Sequence, residues 1–374
     1  MYKLATYDAF FFRGNGEFSS GENTFATGVF PPNPQTIYGA LRGNWIEQNG
    51  NVEDFNHGKY ANEIGTPTSH GKLRLKGIYL SKGKTLYLPL PQDCQVIQKE
   101  DGKLEAHLLE LEKGKGYESD GAQFRLVGVS NKKSESAEGK WITVKDWEKL
   151  VLKREPVEVL PLGSFVQEQP KTGIYLNRST RTAQDGMLYQ YSRNVLAPDV
   201  SIVIAAELPG SLKRVSMGNK GTLWSIEEVP EFQGELKKLS DNPETVKGVK
   251  ESGLVRITLL TPSLVTKELI DRDTNQFRFT GTDWIQSAIG RPQQSGGWDM
   301  ARKRPKTRYT MLAAGTSFIV RVPETNSDAF LATLRETAFT DAGKEEGYGK
   351  AIISPVKSNR VVPKILWKLP QITR

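Results

Sequence analysis

The stretch VSIVIAAEL, residues 200–208, is the strongest buried-strand signal in the chain. A run this apolar needs other strands beside it, so at least one packed sheet is required. Shorter apolar pieces repeat the signal: KLRLKGIYL, TLYLPLP and QFRLVGV between about 72 and 130, then GLVRITLLTP and SFIVRV in the last third. Each is bounded by Gly, Lys or Asp clusters and reads as a strand or half of a hairpin. YKLATYDAFFF, residues 2–12, stops at Arg13-Gly14-Asn15-Gly16 and reads as a strand ending in a turn.

Helical spacing is scarcer. In FPPNPQTIYGALRGNWIEQNG, Pro31, Pro32 and Pro34 set a helix start, and Ile37, Ala40, Leu41 and Trp45 recur at helical intervals, predicting a helix over 34–47. Gly39 and Gly43, four apart, would let it lie close against a sheet or a ligand backbone. DAFLATLRETAF carries Phe330, Leu331, Leu334 and Phe339 as a second stripe. ITVKDWEKLVLKRE gives Val144, Trp147, Leu150 and Val151 as a third, after the polar NKKSESAEGK, and reads as part of an added subdomain. SLKRVSMGNKGTLWSIEEV is strand, Gly-rich turn, strand, and the polar PEFQGELKKLSDNPETVKGVKESG after it marks a domain boundary. Both halves then run strand, helix, strand, helix, Gly-turn, strand, the order of a ferredoxin-like βαββαβ unit. The expectation is an α+β fold with insertions and β-hairpins: one such domain over 1–230 with an insertion at about 93–160, a linker at 231–253, and a second domain over 254–374.

At 374 residues the chain suits two domains of common size. Nowhere do eighteen apolar residues run together, so no membrane span is expected. Cys94 is the single cysteine, which excludes an intramolecular disulfide and a Cys-rich zinc site and suits a reducing, cytoplasmic setting. The histidines are His57, His70 and His107, all in polar stretches. H-E-x-x-H, G-x-S-x-G and C-x-x-C are absent, and the glycine stretches never continue as G-K-[ST]. No cofactor or metal is expected, and the enzymatic reading left is a metal-independent ribonuclease using one of the histidines.

Lys and Arg total 51 against 43 Asp and Glu, a net +8 that a few basic patches would account for. Binding a phosphate backbone asks for cations, glycine turns that a backbone can approach, and aromatic faces for bases. Three groups supply them. In GIYLNRSTRTAQDGMLYQYSRN, Arg178, Arg181 and Arg193 alternate with Tyr175, Tyr189 and Tyr191, a pattern that an amphipathic hairpin would also show. The turns Gly218-Asn219-Lys220-Gly221 and Gly347-Tyr348-Gly349-Lys350 each set a lysine beside glycine. RPQQSGGWDMARKRPKTR brings Arg291, Arg302, Lys303, Arg304, Lys306 and Arg308 around Trp298, as a charge run or as a phosphate-gripping loop. Arg42, on the predicted helix, suits RNA or a buried ion pair equally.

Several segments together resemble a known family. DAFFFRGNGEF (8–18), FPPNPQTIYGALRGNW (30–45), LYLPLPQD (86–93), TGIYLNRSTRTAQDGMLY (172–189), LLTPSL (259–264), AIGRPQQSGGWDMARKRPKTRYTMLAAGT (288–316) and EGYGKA (346–351) stand in that family's order. The chain resembles the RAMP-superfamily, Cas5-like subunit of the type III-B CRISPR Cmr complex. The resemblance implies two ferredoxin-like, RRM-related domains and a non-catalytic subunit that holds the repeat-derived 5′ tag of the guide RNA. It also implies docking against the large polymerase-like subunit and a backbone-forming RAMP neighbour. Arg42, Arg178, Arg181, Lys220, Arg291, Lys303, Arg304, Lys306, Arg308 and Lys350 are then expected at phosphates, with Trp298 and Tyr348 stacking and Gly218, Gly221, Gly347 and Gly349 shaping the turns. The rivals are the histidine ribonuclease and a scaffold whose basic loops meet acidic protein surfaces.

Overall fold

The computed structural model describes residues 1–14, 25–26, 28–114, 123–176, 179–180, 182–266, 268–271, 276–279, 281–299, 303–322 and 327–357. It is a mixed α/β structure dominated by large antiparallel sheets, with few helices.

The larger sheet has ten strands. From one edge they are Arg214–Ser216, Leu223–Glu228, Tyr2–Ala5 (β1), Val200–Glu207, Arg74–Lys82, Thr85–Pro89, Lys140–Thr143, Val157–Pro161, Leu104–Leu108 and Cys94–Gln98, each antiparallel to its neighbours. The 200–208 run lies near its middle. Val200, Ile202 and Ile204 face one core and Val203 the opposite one, so the period-2 side chains are divided between two apolar layers. The helix Pro34–Asn49 (α1) covers the first layer with Ile37, Tyr38, Leu41, Trp45 and Ile46. Its outward face carries Gly39 and Gly43, beside which a Cβ would meet nothing within 4 Å. They therefore do not bring the helix close to the sheet.

A four-stranded sheet forms the second unit, in the order Ala351–Pro355, Leu254–Leu259, Ser317–Arg321, Asp283–Ala288, again antiparallel throughout. The helix Ser327–Glu336 covers it through Leu331 and Leu334. Taken by chain order, both units place their strands fourth, first, third, second. The helices depart from the expected repetition. In the first unit α1 crosses from the first strand to the second, and no α-helix joins the third to the fourth, where Pro209, Gly210, Gly218 and Gly221 interrupt the chain. In the second unit only the later crossing is helical, because Ser263–Val265 and the pair Ile270–Asp271 with Gln276–Phe277 take up the earlier one as strands.

Two further readings change. The stretch at 131–155, expected as part of an added subdomain, contributes Lys140–Thr143 to the large sheet beside Thr85–Pro89. The stretch at 231–253, expected as a linker, forms two helices, Pro230–Ser240 and Pro243–Ser252, each started by proline. Their polarity is one-sided: Phe232 and Leu239 pack with Trp147 in one core, and Val249 packs in the core of the smaller sheet. The inserted hairpin Glu110–Lys113 with Phe124–Val127 sets Leu111 and Phe124 among Leu254, Ile285, Ile319 and Val356 of the second unit. No helix among the described residues is long and apolar enough to cross a membrane.

Candidate nucleic-acid interface

One basic cleft forms where the Gly218–Gly221 turn meets a long hairpin, Val166–Leu176 with Ala183–Leu196. Lys171 and Tyr191 are directly opposed in that hairpin, and Arg193 lies two residues beyond Tyr191 on the same face. The first strand thus sends a lysine, and the second a ring and an arginine, to one side. The turn is held from below: Asn219 N–H donates to the Phe11 carbonyl at 3.0 Å, Met217 N–H to Thr222 O at 2.9 Å, and the Ser216 hydroxyl to Gly221 O at 2.9 Å. Gly218, Lys220 and Gly221 all take positive φ, and Lys220 stands exposed. Beneath lie Phe10, Phe12 and the buried Trp224, with Phe10 and Trp224 ring centroids 4.9 Å apart. The cleft has a volume of about 390 Å³, and its lining includes Asp8, Phe11, Lys171, Tyr191, Arg193 and Lys220.

The second basic surface is a two-part hairpin. Gln293–Ser295 pairs with Tyr309–Leu312, then Trp298–Asp299 with Arg304–Pro305, and Gly296-Gly297 makes the step between them. Lys306 N–H donates to Gly297 O at 2.9 Å across the step. Arg291, Lys303, Arg304, Lys306 and Arg308 are all exposed, and among the described residues none forms a salt bridge with a carboxylate. The first helix anchors this hairpin, for Gln35 Nε2 donates to Gly296 O at 2.5 Å.

Around that anchor several chain segments meet. Arg42 lies over the rings of Tyr38 and Phe55, 5.6 and 5.3 Å from their centroids. His70 stands edge-on to Tyr38 and 3.6 Å from the Glu346 carboxylate. Burial works to raise the Glu346 pKa, but His70 beside it and the charges of Lys306 and Arg42 outweigh it and hold the group below the usual carboxylate range. Arg42 is not a fully buried ion pair; it is half-exposed and shares the field of Glu346 with Lys306.

Other expected residues are placed differently. Tyr348 is 1% exposed, packed with Leu264 and Met311, and burial raises its hydroxyl to about 12. It offers no face to a base. The reason lies in its flanking glycines: a Cβ at Gly347 would sit 2.8 Å from Leu75, and one at Gly349 2.6 Å from the Phe339 backbone, so both serve close packing. Lys350 is half-buried and donates to Arg335 O at 3.3 Å, which turns it inward. Arg178, Arg181 and Arg302 lie outside the described residues, as does the Trp298 side chain. The histidines stand on separate elements: His57 caps a short helix, His107 is 3.0 Å from Glu105, and His70 meets Glu346. Among the described residues no three His, Cys, Asp or Glu side chains gather as metal ligands. Sequence reasoning missed Lys171, Asn219, Phe11 and Glu346. Strand register would have found Lys171 opposite Tyr191; the others depend on contacts between distant segments.

The profile of the family described as CRISPR-associated protein (Cas_Cmr3) matches residues 2–355. No curated protein sequence matches. Among solved structures, a chain of a type III-B Cmr-beta complex bound to cognate target RNA and AMPPnP is similar at 15% identity and a TM-score of 0.46, over 85% of each chain. A chain of the Cmr-beta complex bound to cognate target RNA gives 16% and 0.46, over 85% of this chain and 86% of that one. A chain of a Csm3-Csm4 subcomplex of the type III-A interference complex gives 14% and 0.35, over 86% and 93%.

Proposed function

The chain belongs to the Cas_Cmr3 family of Cas5-like RAMP subunits, and from that premise we propose that it holds the repeat-derived 5′ tag of the guide RNA in a cytoplasmic type III-B effector serving antiviral defence. On this reading it is a non-catalytic subunit, docked between the large polymerase-like subunit and a backbone RAMP neighbour. Its two units are ferredoxin-like, which the shared strand order supports although each keeps a different crossover helix.

The observation that carries the RNA reading is the hairpin at 293–312. It presents exposed cations, none of them in a salt bridge among the described residues and only Lys306 in the field of a carboxylate, Glu346, on a scaffold tied to the first helix. Unpaired cations held together repel one another, and a polyanion relieves that repulsion. The basic cleft at Lys220 adds a second contact surface.

The test is the assembled complex carrying Lys303→Glu, Arg304→Glu, Lys306→Glu and Arg308→Glu, titrated with tagged guide RNA at several salt concentrations. The log–log salt slope should become shallower by about 0.7 for each phosphate contact removed, and affinity should fall. Unchanged affinity and slope would remove the hairpin from the interface. Equal affinity of the unaltered complex for tagged and untagged guides would favour a protein scaffold instead. Defined cleavage of repeat RNA without metal, abolished by changing His57, His70 or His107, would overturn the non-catalytic assignment.

A further inference from the structure

The long hairpin leaves one edge open. Its strand Val166–Leu176 ends a three-stranded sheet, with Ala183–Leu196 in the middle and Phe25–Ala26 beyond, and no strand among the described residues pairs with its outer side. The successive residues Gln167, Glu168, Gln169, Pro170, Lys171 and Thr172 are all exposed, so both faces of the strand are open there. Such an edge offers main-chain donors and acceptors to any other strand.

The middle strand fixes which groups point outward. Asn194 N–H donates to Phe10 O at 2.7 Å and Phe10 N–H to Asn194 O at 2.8 Å, so both main-chain groups of Asn194 face away from Val166–Leu176. Glu168 lies opposite Asn194, where the hairpin makes no cross-strand bond, and its own N–H and C=O point to the open side. By the period of two, Pro170, opposite Ser192, and Thr172, opposite Gln190, point the same way. Pro170 has no N–H, and its ring occupies the space through which an added strand would approach. The hairpin itself loses no bond to the proline, because the missing donor would have faced solvent.

The partner that such an edge fits is the same edge of a second copy. Two copies meeting antiparallel about a two-fold axis would pair Glu168 with Thr172 and Pro170 with itself, the register that uses all three outward positions. With an N–H at every position it would make about six cross-strand hydrogen bonds. Lys171 would face Gln169, so no like charges are opposed and charge does not prevent the contact. Pro170 does, since on the axis both central donors are missing and two rings collide. We propose that Pro170 is a guard on this edge, which without it would pair with a second copy of the chain, and that it keeps the free protein monomeric. The inference is independent of the guide-RNA reading.

The experiment is sedimentation equilibrium of the full chain, free of RNA and of other proteins, over a wide range of concentration. The parent should keep the mass of one chain throughout. Pro170→Thr supplies the missing N–H and a β-branched side chain, and its mass should rise with concentration by about twofold and then stop, because two paired edges close the contact. Thr172→Pro added to Pro170→Thr places a ring on the same outward side and should return the mass to that of one chain. Circular dichroism of Pro170→Thr should match the parent, since the restored N–H enters no bond of the hairpin. A Pro170→Thr chain that stays monomeric at every concentration would overturn the proposal. So would a dimer that Thr172→Pro leaves intact, a parent that already dimerises, or a Pro170→Thr chain that loses its fold, each of which places the role of Pro170 elsewhere than at the open edge.

Discussion

Lys220 and Lys303 adopt left-handed backbone, with φ of +58° and +50°, a conformation shared by only two other non-glycine residues among those described, Arg154 and Asp199. A side-chain-bearing residue held there costs about 1–2 kcal/mol, against about 0.5–1 kcal/mol for the extra chain entropy that glycine loses on folding. The first figure is the larger, so glycine would suit Lys220 better on stability alone, while the lysine adds a positive charge to the lining of the basic cleft. Lys220→Gly should therefore raise the urea midpoint, by a stabilisation of up to about 1 kcal/mol, while lowering RNA affinity and reducing the salt slope by about 0.7. A variant that is less stable, or that binds RNA unchanged, would contradict this. The sequence shows Gly-Asn-Lys-Gly as a turn but not the φ of its lysine. It is equally silent on Gly-Tyr-Gly-Lys, where the inward aim of Tyr348 follows from Gly347 meeting Leu75 of the other unit. Two similar motifs serve opposite ends, and only the contacts across the fold separate them.

At the scale of elements, the joint between α1, the His70 loop, the basic hairpin and the 344–346 turn depends on one carboxylate. Glu346 draws on His70, Lys306 and Arg42, and its folded pKa is depressed relative to the unfolded chain. A depressed carboxylate stabilises the fold above its unfolded pKa, and the contribution is lost as pH falls through the folded value. The difference in melting temperature between the parent and Glu346→Gln should thus be largest near pH 7 and shrink as pH falls from about 5 to about 3. A difference that does not vary with pH would show that the charge of Glu346 is not what steadies the joint. Much at this scale was legible beforehand: prolines placed the start of α1 at Pro34, and the cations and rings of 173–194 read as a strand or a hairpin, part of what is the longer hairpin Val166–Leu176 with Ala183–Leu196. The joint was not, because Gln35 and Gly296 are 261 residues apart and their meeting depends on how two units pack. The helices Pro230–Ser240 and Pro243–Ser252 were legible but passed over: Phe232, Leu236 and Leu239 stand four and three apart, and Val246 and Val249 three apart, each set following a proline. Few apolar residues suffice for a helix that buries one side.

Across the whole molecule, the two four-strand arrangements share one spatial order, and the inserted segment connects the units. The insert reaches the second unit through Leu111 and Phe124, through Gln286 Nε2 donating to Phe124 O at 2.7 Å, and through one fully buried ion pair. Arg256, in the central region of the smaller sheet, is 1% exposed, and its Nε donates to Asp93 Oδ2 at 2.6 Å. Asp93 begins the inserted segment and is 0% exposed; its other oxygen has no partner. A pair with a single short bond and an orphaned oxygen adds little net stability compared with an apolar pair of the same size, yet removing one member strands the other charge out of water. Asp93→Ala should cost about 3–5 kcal/mol in urea unfolding, and so should Arg256→Met. The double variant should recover a large part of either loss, because no charge is then left buried alone. Additive losses in the double variant would show that the pair is not coupled and that the insert is bound to the second sheet by its other contacts, Leu111, Phe124 and the Gln286 hydrogen bond among them.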